Sequence, residues 1–562
     1  MTLVATQQEV AARYWERRRP RLLCALQVRG GNQAGEDACG PSTKTRVRAK
    51  STTKGKLGFH LITLCVLVIG ATALLVPSLA TVSAKPRQTI ERRIHINPPG
   101  VHDSRYAYLP FEVPEHTSQI TVTYQYEREN GLNLIDIGLF DARFTGTDTD
   151  TRGFRGWSGG RRSEFFVSEV DATPGYLPGY IPAGTWRVIL GLYRIGASGV
   201  DVNLKIAIDS ELSAPGEFSL HESTIEIRPK KNLTRRIAGN GIRWWRGDLH
   251  IHTVHSDGDW TIAELLSSAR NGGLDFISIT DHNTSSHHAE IDLFRSFANQ
   301  VVPIPGEEVT TYGGHMNVWG LPSGSWVDFR AQPGDNARMS KIAAAAGRLK
   351  AVTSINHPFA ICAGCAWSYY SSIGDVDAME VWNGDWDASD ELALAMWDRT
   401  LQSGQRITAV ASSDSHRNAN PIGKPTTNLA SKVLTETAIL AAIKRGRAYL
   451  TANIEGPFVS FEAEAAPGRR AIIGDELRLR APGRIRFLVN SEGLPKDAII
   501  SLISNGKKVR EIGEQSQVID IECGGDAYYR LEVRDKSQKV LALTNPIYAR
   551  LIRPTRKLKG VS

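Results

Sequence analysis

The sequence predicts an α/β domain set between two all-β domains, on three observations. Ile120, Val122, Tyr124 and Tyr126 alternate with polar residues, and Val202, Leu204, Ile206 and Ile208 nearly repeat the pattern, which is the period of half-buried strands. Between residues 240 and 452 short apolar runs alternate with helical patterns, the mark of βαβ units around a parallel sheet. From 453 to 552 the two-residue period returns, at Ile485, Phe487 and Val489 and again at Tyr529, Leu531 and Val533.

The chain begins with a basic stretch, residues 1–56, that reads as a disordered leader. The full chain has 562 residues and a formal charge of +8, with a pI near 9.1. Residues 1–84 hold 12 Lys+Arg against 4 Asp+Glu, so the remainder is neutral and the basic balance belongs to the leader. A neutral folded part argues against a nucleic-acid partner. Leu57 to Val76 is a mostly apolar run preceded by Lys50, Lys54 and Lys56 and followed by Pro77 and Val82-Ser83-Ala84. Residues 57–84 therefore read as a signal peptide, or as a membrane tether through 57–76 if uncleaved. His60, Thr63 and Thr72 interrupt the run and favour cleavage. Either way the rest is expected to be exported, periplasmic or extracellular.

Residues 85–235 fit a β-sandwich, with turns at Pro174-Gly175 and Pro178-Gly179 and a polar, Gly-rich surface loop from Thr145 to Arg162. In 240–452 the expected strands are Gly247–His252, Leu274–Thr280, Val301–Pro305, Ala351–Asn356, Ala378–Trp382 and Ile407–Ser412. Thr261-Ile-Ala-Glu264 is a capping box that opens a helix. Further helices are expected over Asp335–Leu349, Ser389–Ser403 and Thr435–Arg445, the last two closed by Gly404 and Gly446. Residues 453–552 form a second β-sandwich and 553–562 a basic tail. Beyond the leader the cysteines are Cys362, Cys365 and Cys523. Cys362-Ala-Gly-Cys365 reads as a zinc pair, a redox pair or a local disulfide; export favours the disulfide.

Chemistry concentrates in the middle. Of 14 histidines, nine fall between 250 and 416 and none later. On a strand His250 and His252 point the same way, and Asp257 follows in a polar turn. His282 in Thr-Asp-His-Asn, His357 in Asn-His-Pro and His416 in Asp-Ser-His lie where predicted strands end, as do Asp414 and Glu307-Glu308. Loops after the carboxyl ends of parallel strands converge on one site, and imidazole with carboxylate suits Zn, Mn or Fe rather than Ca. Each histidine alone is as well read as structural; the ordered set is not. His255, His287 and His288 do not fit the pattern and read as loop residues.

In this order the motifs H-x-H-x3-S-D-G, T-D-H-N, G-E-E-V, G-G-H, N-H-P and D-S-H resemble the PHP (polymerase and histidinol phosphatase) superfamily. Glu380-Val-Trp-Asn383 and the run from Ala441 to Thr451 resemble its CehA/McbA branch, which includes carbaryl-type carbamate hydrolases. The resemblance implies a distorted (β/α)7 barrel. It implies two or three divalent ions: one held by His250, His252, a bridging glutamate and Asp414; one by that glutamate, His315 and His357; a third, where present, by Asp257, His282 and His416. Some members carry histidine where this chain has Asp257, which bears on whether the third site is filled. The bridge is Glu307 or Glu308; Glu308 is preferred because it directly precedes Val309-Thr310. The implied reaction is attack on a small-molecule ester, phosphoester or carbamate/carboxyl ester, by a hydroxide shared between two ions. Asp414 or His416 would move protons. Arg417 either clamps an anionic substrate or is a surface arginine, and Trp367, Trp382 and Trp386 either wall the site or pack in the core. The alternative is an inert exported binding module whose sandwiches hold the ligand. A polymerase-linked exonuclease is disfavoured by the export segment.

Overall fold

The structure, a computed structural model, describes residues 88–552 apart from 101–102, 211–235, 239–240, 296–300, 363, 467 and 514–515. The leader, the 57–84 segment and the 553–562 tail lie outside the described residues. No helix among the described residues is long and apolar enough to cross a membrane.

Two four-stranded antiparallel sheets make up the N-terminal region. One runs Gln88–Ile96, Val200–Asp209, Gln119–Tyr126, Glu164–Ser168, and the other Tyr106–Val113, Gly184–Arg194, Leu134–Phe140, Phe154–Gly159. Ile120 and Val122 of the first meet Ile135, Ile137, Val188 and Leu190 of the second in a core closed to solvent. The stretch 145–162, expected as a surface loop, instead contributes the strand Phe154–Gly159, nearly all of it buried. Its sheet is covered on both sides: Tyr106, Phe140, Trp157 and Ile189 face away from the sandwich and pack with Val309, Met316 and Phe329 of the central region. A strand buried on both faces loses its polar alternation, and this one reads as Gly-rich and polar.

The central strands are β1 (Ile242–Asp248), β2 (Phe276–Ile279), β3 (Val302–Thr311), β4 (Gly314–Trp319), β5 (Val352–Ile355), β6 (Ala378–Asn383), β7 (Thr408–Ser412), β8 (Thr426–Ser431) and β9 (Ala448–Thr451). They pair in the order β7-β6-β5-β4-β3-β2-β1-β8-β9. The parallel repeat expected from sequence is interrupted. β4 returns from β3 as a hairpin and lies antiparallel to β3 and β5, and β8 and β9 add antiparallel strands beyond β1. The segments that follow β1 and β7 meet: Ile251 bridges Ser415 in parallel, and the His252 amide donates to the Ser415 carbonyl at 3.0 Å.

Helices α1 (Ile262–Gly272), α2 (His288–Phe294), α3 (Asn336–Arg348), α4 (Ala388–Gln402) and α5 (Glu436–Lys444) flank the sheet. Thr261 and Glu264 cap α1 reciprocally, and its chain leaves through Gly273 at φ 93°; Asp387 and Asp390 cap α4 the same way. Such a cap contributes about 1 kcal/mol. α2 was not expected. Its seven residues are too few to show a helical period, and His287 and His288, read as loop residues, are buried at its start. The Nε2 of each donates to the Gly306 carbonyl, at 3.0 and 2.9 Å. His255 is buried too, bonded to Ser286 and Glu290.

In the C-terminal region a four-stranded sheet (Arg469–Ile472, Phe458–Ala465, Gly483–Glu492, Ser516–Cys523) packs through Phe461 and Phe487 on Leu502 and Leu531. Leu502 and Leu531 belong to strands that continue the central sheet, since Val540–Thr544 pairs with β9. The Asn545 side chain then reaches β7. Its amide nitrogen donates to the Ala409 carbonyl and its oxygen accepts from the Ala409 amide, both at 2.8 Å.

Candidate metal centre

The parallel strands β1, β2, β3, β5 and β7, with the antiparallel β4, bring ligand types to one end of the sheet; β6 brings none of the nine. His250 and His252 follow β1, with Asp257 in the turn beyond; His282 follows β2; Glu308 lies within β3; His315 is near the start of β4; His357 follows β5; Asp414 and His416 follow β7. All nine candidate ligands come together. Glu308 is at the centre and fully buried. Its Oε1 stands 3.2 Å from His250 Nε2, 3.2 Å from His315 Nδ1 and 3.4 Å from His357 Nε2. Its Oε2 stands 2.6 Å from His282 Nδ1 and 3.7 Å from His252 Nε2. Asp414 Oδ1 lies 3.3 Å from His250 Nε2 and 3.1 Å from His252 Nε2. Asp257 Oδ1 lies 3.5 Å from His282 Nε2 and 3.3 Å from His416 Nε2. Three sets can each converge on one ion: His250, His252 and Asp414; His250, Glu308 and His357; and His252, Asp257, His282 and His416.

Glu307 does not face this cluster. Adjacent strand residues point to opposite faces; its Oε2 accepts from the Val327 amide at 2.7 Å, and burial pushes its carboxyl well above the usual range. Arg417 is exposed, and among the described residues no side-chain hydrogen bond or ion pair ties it to the cluster. The tryptophans do not form a wall: Trp367 and Trp382 are 1% exposed in the core and Trp386 packs edge-on against Trp382. A large apolar ring in a half-parallel sheet gains more from the core than from a wet rim. Cys362 and Cys365 form a disulfide, Cα atoms 5.5 Å apart, and Cys523 is free and buried.

Electrostatics and geometry both fit divalent ions. Burial disfavours the charged forms of His250 and His282. The carboxylates of Asp414, Glu308 and Glu380 nonetheless hold His250 well above the usual imidazole range, and Asp257 with Glu308 lifts His282 to about 10. Burial and the neighbouring His416 and His282 push His252 down to about 4. Without cations, protons have to balance this cluster. Nε2 of His250, both nitrogens of His252, and Nδ1 of His315 and His357 are buried without a hydrogen bond, although carboxylate oxygens stand close. Buried polar atoms left this way are costly, and a shared cation would satisfy those that face the carboxylates, His250 Nε2, His252 Nε2 and His315 Nδ1. His357 and Asp414 also hold left-handed backbone, φ 24° and 51°, a conformation that costs non-glycine residues of order 1 kcal/mol or more and gathers at functional sites.

Residues outside the expected set orient it. Glu380 accepts from His250 Nδ1 at 3.2 Å, from the His357 amide at 3.0 Å and from Asn383 at 3.0 Å. That fixes the His250 tautomer with Nε2 free and ties the His250 ligand to the His357 loop. Asp281 accepts from Thr253 and Ser256 and holds the turn to Asp257, and Asn356 donates to Glu308 Oε1 at 2.7 Å. An acid between Met379 and Val381 in a buried strand was the available signal for Glu380, since a buried carboxylate needs partners. Glu380→Gln should lower divalent-metal affinity about 10- to 100-fold, read by calorimetric titration of the metal-free chain; affinity equal to wild type would remove Glu380 from this role.

No family model matches this chain, and no curated protein matches it. Two of the solved structures it resembles are a two-domain protein containing a predicted PHP-like metal-dependent phosphoesterase from Bacteroides vulgatus ATCC 8482 and an amidohydrolase from Chromobacterium violaceum. The first is 16% identical with a TM-score of 0.35, over 57% of this chain and 100% of that one. The second is 14% identical with a TM-score of 0.24, over 36% and 96%. Likenesses this distant leave the chemistry of the site to its own geometry.

Proposed function

We propose that this chain is an exported hydrolase of the PHP type, nearest the carbamate-hydrolase branch. In this reading it holds two or three divalent ions (Zn, Mn or Fe) and cleaves a phosphoester or a carbamate/carboxyl ester of a small molecule. The observation that carries the reading is Glu308, a buried carboxylate with five imidazoles around its two oxygens. His250, His252 and Asp414 would hold one ion, Glu308, His315 and His357 a second, and Asp257, His282 and His416 a third. Bound there, divalent ions supply Lewis acidity that activates water and polarises the scissile group.

The chain's own groups handle binding and protons. His416 Nδ1 donates to the Asp414 carbonyl at 2.8 Å, which leaves Nε2 facing Asp257. Asp414 and His416 keep 24% and 29% of their side-chain surface open, so both can exchange protons with solvent or a leaving group. Buried Glu308 and His250 cannot, and serve as fixed ligands. In this reading Arg417, exposed just past His416, would meet an anionic substrate.

The test is a panel of chromogenic phosphomono-, phosphodi-, carboxyl and carbamate esters, run on the purified chain with Mn or Zn and after chelation. Turnover of at least one class, lost on chelation and restored by metal, is expected. Turnover indifferent to chelation would overturn the reading.

A further inference from the structure

The β3–β4 hairpin turns on Tyr312-Gly313-Gly314 and carries Thr310, bonded to His282, before the turn and His315 after it. Tyr312 leaves the central region and seats on the outer face of the N-terminal sandwich. Its hydroxyl donates to Asp136 Oδ2 at 2.7 Å. Its ring stacks on Tyr106, centroids 5.6 Å apart and planes 18° apart, and meets Tyr193 at 5.4 Å. Gly191 floors this socket, where any side chain would collide with the Tyr312 hydroxyl and the Trp157 ring. The hairpin is gripped from the other side as well. The Gly314 amide donates to the Gly364 carbonyl at 2.9 Å, inside the loop clipped by Cys362–Cys365, and Ser368 donates to the Gly313 carbonyl at 2.6 Å.

His315 follows this turn by one residue, and its Nδ1 must reach a point 3.2 Å from Glu308 Oε1. Thr311 ties the turn from within, its hydroxyl donating to the Gly314 carbonyl at 2.7 Å and accepting from the Gly313 amide at 3.1 Å, and with two glycines in it the grip from outside adds to that hold. We propose that Asp136 and Tyr312 are positioning residues of the metal centre: the N-terminal sandwich holds the turn that aims His315 at Glu308. The sandwich is then part of the active-site framework and not a separate ligand-binding module. This rests on reading the histidine–carboxylate cluster as a metal centre.

The experiment is titration of the purified, metal-free full chain with Mn or Zn by calorimetry, alongside thermal unfolding of the metal-free protein. Tyr312→Phe keeps the ring stack and removes only the hydroxyl; Asp136→Ala removes the acceptor; Asp136→Asn keeps an oxygen that accepts from Tyr312. Tyr312→Phe and Asp136→Ala should weaken one ion's binding about tenfold, with Asp136→Asn restoring most of it. A lowered melting temperature with unchanged metal affinity would mean packing alone and would overturn the proposal, as would wild-type affinity in Tyr312→Phe. If the wild-type chain binds metal yet cleaves no ester, the hydrolase reading falls and the affinities still decide this one. A wild-type chain that binds no metal ends both.

Discussion

His250→Ala and Glu308→Gln should each reduce ester hydrolysis about 10³-fold or more, because several kcal/mol of electrostatic stabilisation supplied by the ions goes with them. Glu308→Gln keeps the shape and removes the one charge that five imidazoles share. His250→Ala removes an imidazole that belongs to two of the three convergent sets. Steady-state rates at saturating metal, with circular dichroism to verify folding, measure the effect; wild-type turnover in either variant would refute the site. The same chemistry sets a pH dependence. In the metal-free chain burial opposes the charge on His282, but Asp257 and Glu308 raise it to about 10. An incoming ion therefore has to displace a proton. Apparent affinity should fall as pH drops, by about tenfold per pH unit for each proton released. In the metal-free chain the sign reverses. A raised folded pKa gives stability that is complete below the unfolded value near 6.5 and is lost as pH rises through about 10, so metal binds best where the empty cluster is least stable.

Arg530→Ala should destabilise the chain by about 3–5 kcal/mol, the cost of stranding buried partners. Arg530 is 2% exposed, and its guanidinium donates to both oxygens of Asp398 on α4, at 3.1 and 2.6 Å, and to Glu532 at 2.8 Å, while lying over Trp397. Removing it leaves Asp398 with no cation, while Glu532 keeps Arg534 at 2.5 Å; Tyr528, which donates to Asp398 at 2.9 Å, cannot neutralise that charge. Urea unfolding reads the loss, and metal affinity should not move, since no candidate ligand touches the network. A change below about 1 kcal/mol, the worth of an exposed pair, would show that the burial is not felt.

Much of the centre was legible because its ligands sit in short polar motifs at the ends of apolar runs, and strand ends converge without any knowledge of pairing. His250, His282, His357 and Asp414 could be grouped that way. Helices announced themselves through caps, as Thr261 and Glu264 do for α1. The remainder depends on contacts that sequence does not display. Phe154–Gly159 does not read as a strand because its Arg155 is spent on the Gly179 and Tyr180 carbonyls and its Gly156 lies against the Gly175–Tyr176 backbone. β4 is invisible until the Gly313-Gly314 turn is seen to reverse the chain. Glu307 and Glu308 differ only by which face a strand presents, and register decides that. Glu380 was visible as a residue, but its work on His250 and His357 appears only once β1, β5 and β6 share a sheet.

Asn545 carries a last consequence. A terminal strand normally offers a bare row of amides and carbonyls to any passing chain. Here one side-chain amide, sent from the C-terminal layer, occupies the Ala409 peptide in the manner of a neighbouring strand. A fragment trimmed to the metal-bearing segment would uncover that peptide and open it to intermolecular pairing, because the residue that covers it lies more than 120 positions downstream of the last candidate ligand.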